Sequence, residues 1–414
     1  MSRIAVSAAG IVCSLGEDLG AVASALAAGA SGIAPLAGEL SEGLRDPHAA
    51  EARDYDPART LGDRNLRPLD RTARLAASAA SLALAAAGPE ALAGGEVGLA
   101  LGTLFGSLRT IAEFDRRALQ MGANYASPLD FANSVINAAA GQAAIWHGLR
   151  GVNATVGGGP VAGLLAFGYA TDQLRDRANA GGPVAMLAGG AEEICREALL
   201  GFERLGVTAG SDGRAPQPLP LGARRNGFRL GEGAALALLE PFERAAARGV
   251  RPLGEVLGHG EAFDPSRGAD PAASAAALAR AIRQALADAA LDPAAIDLLA
   301  LGASGSPARD RAEVEGLALV FGRERLAALP ALAIAGPLGE CLGAGGALST
   351  LLALECLRTG RLPGLAGFAE LDRSLPLPSL AAATRPLSGR VALATAVALD
   401  GPVAALLVAT PETA

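Results

Sequence analysis

The chain predicts a layered α/β fold built from two similar halves, and three observations carry that expectation. Short aliphatic runs bounded by glycine alternate with long alanine-rich segments, the pattern of strands feeding helices. The alternation runs through once and then repeats in the second part of the 414 residues. Composition is 51% hydrophobic but only 3% aromatic, so the core must consist of closely packed aliphatic layers around buried sheets. This length suits one large domain or two smaller ones, and the expected division is 1–245 and 246–414.

Residues 4–11 read as a buried strand, and Gly10 with Gly16-Glu17-Asp18 argues against a signal peptide. A helix is expected over 19–28. Residues 30–66, rich in Gly, Pro and charge, read as a surface excursion. Helices are expected over 71–87, 108–121 and 133–147, with a strand over 97–101 ending at Gly102-Thr103. The next stretch, from Asn153 to Gly163, organises the rest: a β-branched run, three glycines, then an apolar segment over 161–174 long enough for a helix. Such a strand-to-helix elbow lifts one side chain towards the positive potential of a helix N-terminus. The residue lifted is Pro160, which suits the first helical turn and offers no nucleophile. A strand over 184–187 is expected to close at Gly189-Gly190-Ala191-Glu192-Glu193, an irregular stretch covers 210–225, and a strand covers 234–239. The second half repeats the pattern, with strands over 252–258, 296–301, 331–335, 391–399 and 403–408 and helices over 272–289, 309–321 and 343–359.

Net charge is −7 and every basic residue is arginine, which leaves no basic footprint for nucleic acid. The four cysteines, Cys13, Cys195, Cys341 and Cys356, are too scattered for a metal site or a disulfide framework. Uncharged stretches such as 131–149 carry Asn, Gln, Ser and Gly, so no membrane span is expected. The expectation is a soluble cytoplasmic protein without a cofactor.

Five stretches then fall into one pattern. Ala191-Glu192-Glu193, Arg225-Asn226-Gly227-Phe228 with Gly231-Glu232-Gly233, the AAARGV segment at 245–250, Gly305-Ser306-Pro307 with Asp310 and Glu313, and Leu342-Gly343-Ala344-Gly345-Gly346 are similar, in order and spacing, to the β-ketoacyl synthases. These are the condensing enzymes of the thiolase fold, and the resemblance covers nearly the whole chain. It implies two pseudo-repeated α/β halves in a layered α-β-α-β-α architecture.

The chain departs from that family where the chemistry sits. The family has cysteine within Thr-Val-x-x-x-Cys-x-x-Gly, and here Thr155 and Gly163 flank Pro160 instead. A helix N-terminus would stabilise a thiolate at that position. Pro160 also lacks the backbone N–H that in the family helps form the oxyanion hole, a donor worth roughly 3 kcal/mol in other enzymes. The resemblance places Gly302 at the first histidine, Ala335 at the lysine and Glu340 at the second histidine. The only histidines are His48, His147 and His259, and no lysine exists. The resemblance therefore implies no nucleophile, acid or base for decarboxylative condensation. The family's Gly-Phe-Gly-Gly turn appears as Ala398-Leu399-Asp400-Gly401, which puts Leu399 at its phenylalanine gate.

By resemblance, such a chain is a chain-length factor of type II polyketide, polyene or fatty-acid-like biosynthesis. Its implied partners are an active ketosynthase subunit, in a heterodimer, and an acyl carrier protein bearing the growing chain. Better-known chain-length factors carry glutamine where this chain has Pro160. Phe105, Leu108, Leu129, Asp130, Val135 and Ile136 are the implied tunnel or interface residues. Phe105 would narrow the tunnel, since overfilling a packed pocket costs about 1–3 kcal/mol. Taken residue by residue, Phe105, Leu108, Val135 and Ile136 read first as ordinary core residues. Glu340 is expected to face a polar remnant pocket or to pair with an arginine such as Arg224. Arg116-Arg117 and Arg224-Arg225 read as solvated surface or as a docking site for an acidic carrier. His259 and Asp264 fall in a stretch expected to be peripheral. Two alternatives stay open: an acyltransferase or thioester hydrolase using Glu340 or Ser304, for which no Gly-x-Ser-x-Gly elbow is present, and a homodimeric acyl-binding scaffold.

Overall fold

The computed structural model describes residues 2–176, 182–365 and 367–411. Ten strands form one continuous sheet: β1 (Ile4–Cys13), β2 (Val97–Thr103), β3 (Asn153–Gly157), β4 (Ala185–Glu192), β5 (Gly233–Pro241), β6 (Gly254–Phe263), β7 (Leu298–Leu301), β8 (Ala331–Ala333), β9 (Val391–Val397) and β10 (Pro402–Ala409). Read outward from the middle, one half runs β1-β5-β4-β2-β3 and the other β6-β10-β9-β7-β8. The pairings match strand for strand, with two antiparallel pairs next to the centre and two parallel pairs beyond them. The halves meet where β1 and β6 pair antiparallel at Ile4↔Val256, Ala5↔Glu255 and Val6↔Gly254. The expected boundary at 245/246 falls inside the short helix Phe242–Ala247 that leads from β5 towards β6.

The longer helices that build the layers are α1 (Arg71–Ala87), α2 (Leu108–Met121), α3 (Ala138–His147), α4 (Ala162–Arg175), α5 (Pro271–Asp288), α6 (Pro307–Phe321) and α7 (Gly345–Thr359). Helices α4 and α7 follow the third strand of their halves and pack on each other between the two sheet halves. Their sequences suit that place. From Gly346 to Leu357 every residue of α7 is buried, as a helix enclosed on all sides requires. Outside the sheet, α1 packs with α3 over one half and α5 with α6 over the other. The order is α-β-α-β-α, as expected.

Gly190 lets the middle layer close on the sheet. A Cβ there would lie 2.0 Å from the Gly343 carbonyl oxygen, which belongs to the turn leading into α7. Gly190→Ala is expected to lower unfolding free energy by about 1–3 kcal/mol, the usual cost of overpacking, measured by urea denaturation.

Several expectations need correction. Gly189 and Gly190 lie within β4 and do not close it, because the strand pairs with β2 as far as Gly190 and with β5 on to Glu192. The helix expected over 133–147 begins only at Ala138, after a separate turn of helix at Pro128–Ala132. Ala335 is not in a strand; it opens the helical turn Ala335–Leu338 after β8. Residues 30–66 are not merely a surface excursion. Leu36, Ala49, Ala50 and Ala52 are buried, and Ala50 and Ala52 are hydrogen-bonded to Leu230 and to the Glu232 carboxylate. His259 and Asp264 are not peripheral: His259 lies in β6 against Gly168 of α4, and Asp264 is buried, bonded to Ser266 and Ser274. No described helix is long and apolar enough to cross a membrane.

Candidate functional site

Strand β3 ends at Gly157, and the chain turns through Gly158 and Gly159, both at positive φ, into a helical turn at Gly159–Val161 that runs on as α4. Glycine makes the reversal possible, and proline at the next position starts the helix with φ already set. Pro160 is thereby buried at the helix start. It lines a cavity of about 20 Å³, room for roughly one water. Gly302, just after β7, and Ala335, just after β8, line the same cavity, with Glu340, Cys341, Ser349 and Thr395. The fold thus gathers four positions that are up to 180 residues apart in sequence.

Glu340 is buried and has an arginine partner, but that partner is not Arg224. Its Oε2 lies 2.8 Å from Nη2 of Arg309, and its Oε1 accepts the Leu342 N–H at 3.2 Å. Arg309, also buried, sits in the first turn of α6; its Nε donates to the Val397 carbonyl at 2.7 Å, and its guanidinium faces the Phe228 ring. Arg224 instead pairs with Glu370 at the surface. Its neighbour Arg225 is buried, contrary to the solvated reading, and bonds Asp372 and the Gly222 carbonyl. Arg116 and Arg117 are exposed and shared among Glu113, Glu197 and Asp130.

The carboxylates around this cavity are tied to backbone. Asp310 accepts the N–H groups of Leu221, Ser304 and Gly305, which holds the 302–306 turn against α6. Glu313 accepts the Gly302 N–H at 2.7 Å and the Thr395 hydroxyl at 2.6 Å, and burial pushes its carboxyl up to about 7. Glu192 accepts the N–H groups of Leu104, Phe105 and Gly343, so one side chain joins the end of β2 to the turn before α7. Burial pushes the Cys341 thiol well up, and does the same to Cys13, Cys195 and Cys356. None of the four is poised as a thiolate. Ser304 is buried with its hydroxyl 3.5 Å from the Arg309 guanidinium, a group that has no lone pair to accept a proton.

The tunnel and interface candidates separate into two groups. Phe105 and Leu399 belong to a cluster beside the cavity, where the Phe105 ring lies 5.9 Å from Phe202 and Phe202 lies 5.6 Å edge-on to Phe228. Leu108 starts α2 and is half-buried. Leu129, Val135 and Ile136 are on the surface, Val135 with 52% of its area exposed, so the core reading of Val135 and Ile136 fails. Asp130 is held by Arg117 at 3.5 Å. The sequence reading missed Leu119, Met121, Tyr125, Phe131 and Ile145, large apolar side chains that are also exposed, from α2 through to α3, the helix that packs on the edge strand β3. The signal was available, since α2 carries leucine and methionine where an exposed helical face should be polar.

The comparisons agree with this architecture. The N-terminal domain of beta-ketoacyl synthase matches residues 1–245, and its C-terminal domain matches residues 253–369. Nodulation protein E of Rhizobium sp. (strain N33) is 30% identical over 404 residues, 96% of this chain and 97% of that protein. The 3-oxoacyl-[acyl-carrier-protein] synthase 2 of Coxiella burnetii (strain RSA 493 / Nine Mile phase I) is 27% identical over 381 residues, 91% of this chain and 90% of that one. A solved structure of the ishigamide ketosynthase/chain length factor superposes with a TM-score of 0.90 at 28% identity, covering 99% of this chain and 100% of the other. With both domains matched in order along a thiolase-like two-half sheet, the chain belongs to the β-ketoacyl synthase family.

Proposed function

We propose that this chain is a non-catalytic ketosynthase-like subunit, a chain-length factor, that pairs with an active β-ketoacyl synthase and shapes the acyl tunnel of the pair. One observation carries the reading. The positions where the family resemblance expects cysteine, histidine, lysine and histidine hold Pro160, Gly302, Ala335 and Glu340, and these four line one cavity with room for about a single water. Among the residues lining that cavity the carboxylate is Glu340, which is already engaged by Arg309.

Two further features support it. The 119–145 segment exposes several large apolar side chains and ends in α3, which packs on the edge strand β3, the kind of surface that a second chain covers. The ishigamide ketosynthase/chain length factor is also similar in fold over nearly the entire chain. Relatives named as 3-oxoacyl-[acyl-carrier-protein] synthases share the family, so the reading rests on the four positions and not on the family match. On this reading an acyl carrier protein brings the growing chain to the pair, and Phe105 with Leu399 borders the tunnel from this side.

Co-expression with a ketosynthase from the same pathway tests the reading. The expected result is a stable 1:1 complex that condenses acyl and malonyl units, while this chain alone does not. Condensation by the isolated chain would overturn the proposal, as would thioester turnover by it that is lost in Glu340→Ala or Ser304→Ala. Phe131→Asp with Val135→Arg is expected to weaken the complex by about 10- to 100-fold, consistent with loss of central apolar contacts at an interface, measured by titration calorimetry.

A further inference from the structure

We infer that Arg309 and Glu340 form a built-in plug that seals the Pro160 cavity from the aromatic cluster beside it, so that no acyl thioester enters this subunit's own chamber. The inference rests on reading that cavity as the remnant of a reaction chamber. Arg309 reaches out of α6 and is fixed at three points: Nε on the Val397 carbonyl, Nη2 against Glu340, and the guanidinium face over Phe228 at 5.9 Å. Glu340 lines the cavity on one side. Phe228, with Phe202, Phe105 and Leu399, forms the cluster on the other. The guanidinium therefore stands between the space at Pro160 and the residues proposed to border the tunnel.

Volume gives the consequence. Sites that hold small organic ligands run to roughly 300–1,000 Å³. The cavity here has about 20 Å³, which admits a water and no more. Its polar character persists, however. Ser349 Oγ, Glu313 Oε2, Glu340 Oε2 and Arg309 Nη2 are all buried without a well-aligned hydrogen bond to protein, the last two because the Arg309 N–H is not directed along their short contact. Glu340 and Ser349 line the space, Glu313 bonds its wall residues Gly302 and Thr395, and Arg309 stands behind Glu340, so a polar chamber remains with the ion pair at its border. An apolar core at this place would leave no such orphaned atoms.

A cysteine at position 160 reports on the seal. Purified Pro160→Cys protein is treated with iodoacetamide, and alkylation of the peptide carrying position 160 is followed by mass spectrometry; the four native cysteines are buried and supply an internal baseline. The seal predicts that Cys at 160 reacts about 10-fold or more slowly in the otherwise native chain than in Pro160→Cys/Arg309→Gly/Glu340→Gln, because access then requires local opening. Pro160→Cys/Arg309→Met/Glu340→Leu refills the space without charge and should stay slow. Rapid labelling of Pro160→Cys alone overturns the inference, and so does slow labelling of the opened variant with circular dichroism unchanged. If the opened variant does not fold, Pro160→Cys/Arg309→Gly/Glu340→His takes its place under the same criteria. Failure of the chain-length-factor reading would register differently, as condensation by the isolated chain, which this labelling does not measure.

Discussion

Arg309→Ala, with Glu340 left in place, is expected to lower the unfolding free energy by about 3–5 kcal/mol, the cost of leaving one member of a buried ion pair without its counter-charge. Both side chains are about 5% exposed, so water cannot take over the role of the guanidinium. The substitution also frees the Val397 carbonyl and removes the group facing Phe228. Replacing both partners is a different experiment. Arg309→Met/Glu340→Leu removes two desolvated charges together and fills a similar volume, so it should be neutral or stabilising by about 1–4 kcal/mol. Urea denaturation with a constant m-value separates the outcomes. A loss below about 1 kcal/mol for Arg309→Ala would mean that the pair is hydrated and behaves like a surface salt bridge.

Which arginine meets Glu340 is set by tertiary structure and not by the local sequence. Arg224 stands beside a recognisable motif, whereas Arg309 lies inside α6 between Pro307 and Asp310, where an arginine reads as helical surface. Only the folded arrangement shows that the first turn of α6 faces the middle of the molecule. Arg225 shows the same limit. Two adjacent arginines look solvated in sequence, yet one is exposed and the other buried, because the turn between Leu219 and Gly222 directs the second towards Asp372.

The fold itself was far more legible. Alternating glycine-bounded aliphatic runs and alanine-rich helices fixed most strands and helices to within a few residues, because that periodicity is set locally. The errors occur where tertiary contact overrides local pattern. Gly189 and Gly190 look like a strand end but continue in β4, where the absence of side chains lets the turn before α7 lie against the sheet. Val135 and Ile136 look like core because they are β-branched and apolar. Their exposure can be read only from the fold, where they lie in the connection between the Pro128–Ala132 turn and α3 with about half their surface open. The elbow was predictable since glycine and proline together dictate a reversal followed by a helix start, whatever surrounds them.

The stability of the fold is expected to fall as pH rises from 5.5 to 8.5, and Glu193→Gln is expected to remove a share of that fall on the order of 3–5 kcal/mol. Glu193 directly follows β4 and is buried against the start of α2; its Oε1 accepts the Arg109 N–H at 3.0 Å while its Oε2 has no protein hydrogen bond. Burial, with Asp70 and Glu232 nearby, pushes its carboxyl from 4.5 up to about 8. The folded state therefore holds a proton that the unfolded chain releases near pH 4.5. The stabilisation is fully present below that pH and is lost as pH rises through about 8. Glu192 and Glu313, raised to about 7, act in the same direction, so the native chain should retain part of the slope after Glu193→Gln. Asp372 and Asp212 are shifted down, and their contributions are lost only at more acid pH, outside this window. Thermal melts across the range decide the matter: the advantage of the amide variant over the native chain should be small near pH 5.5 and largest at pH 8.5. Equal slopes would show that Glu193 is ionised in the fold and that its unpaired oxygen is hydrated. If the slope does change, alkaline pH acts on the start of α2, the helix that carries Leu108, Leu119 and Met121, and the proposed partner face should loosen over the same range.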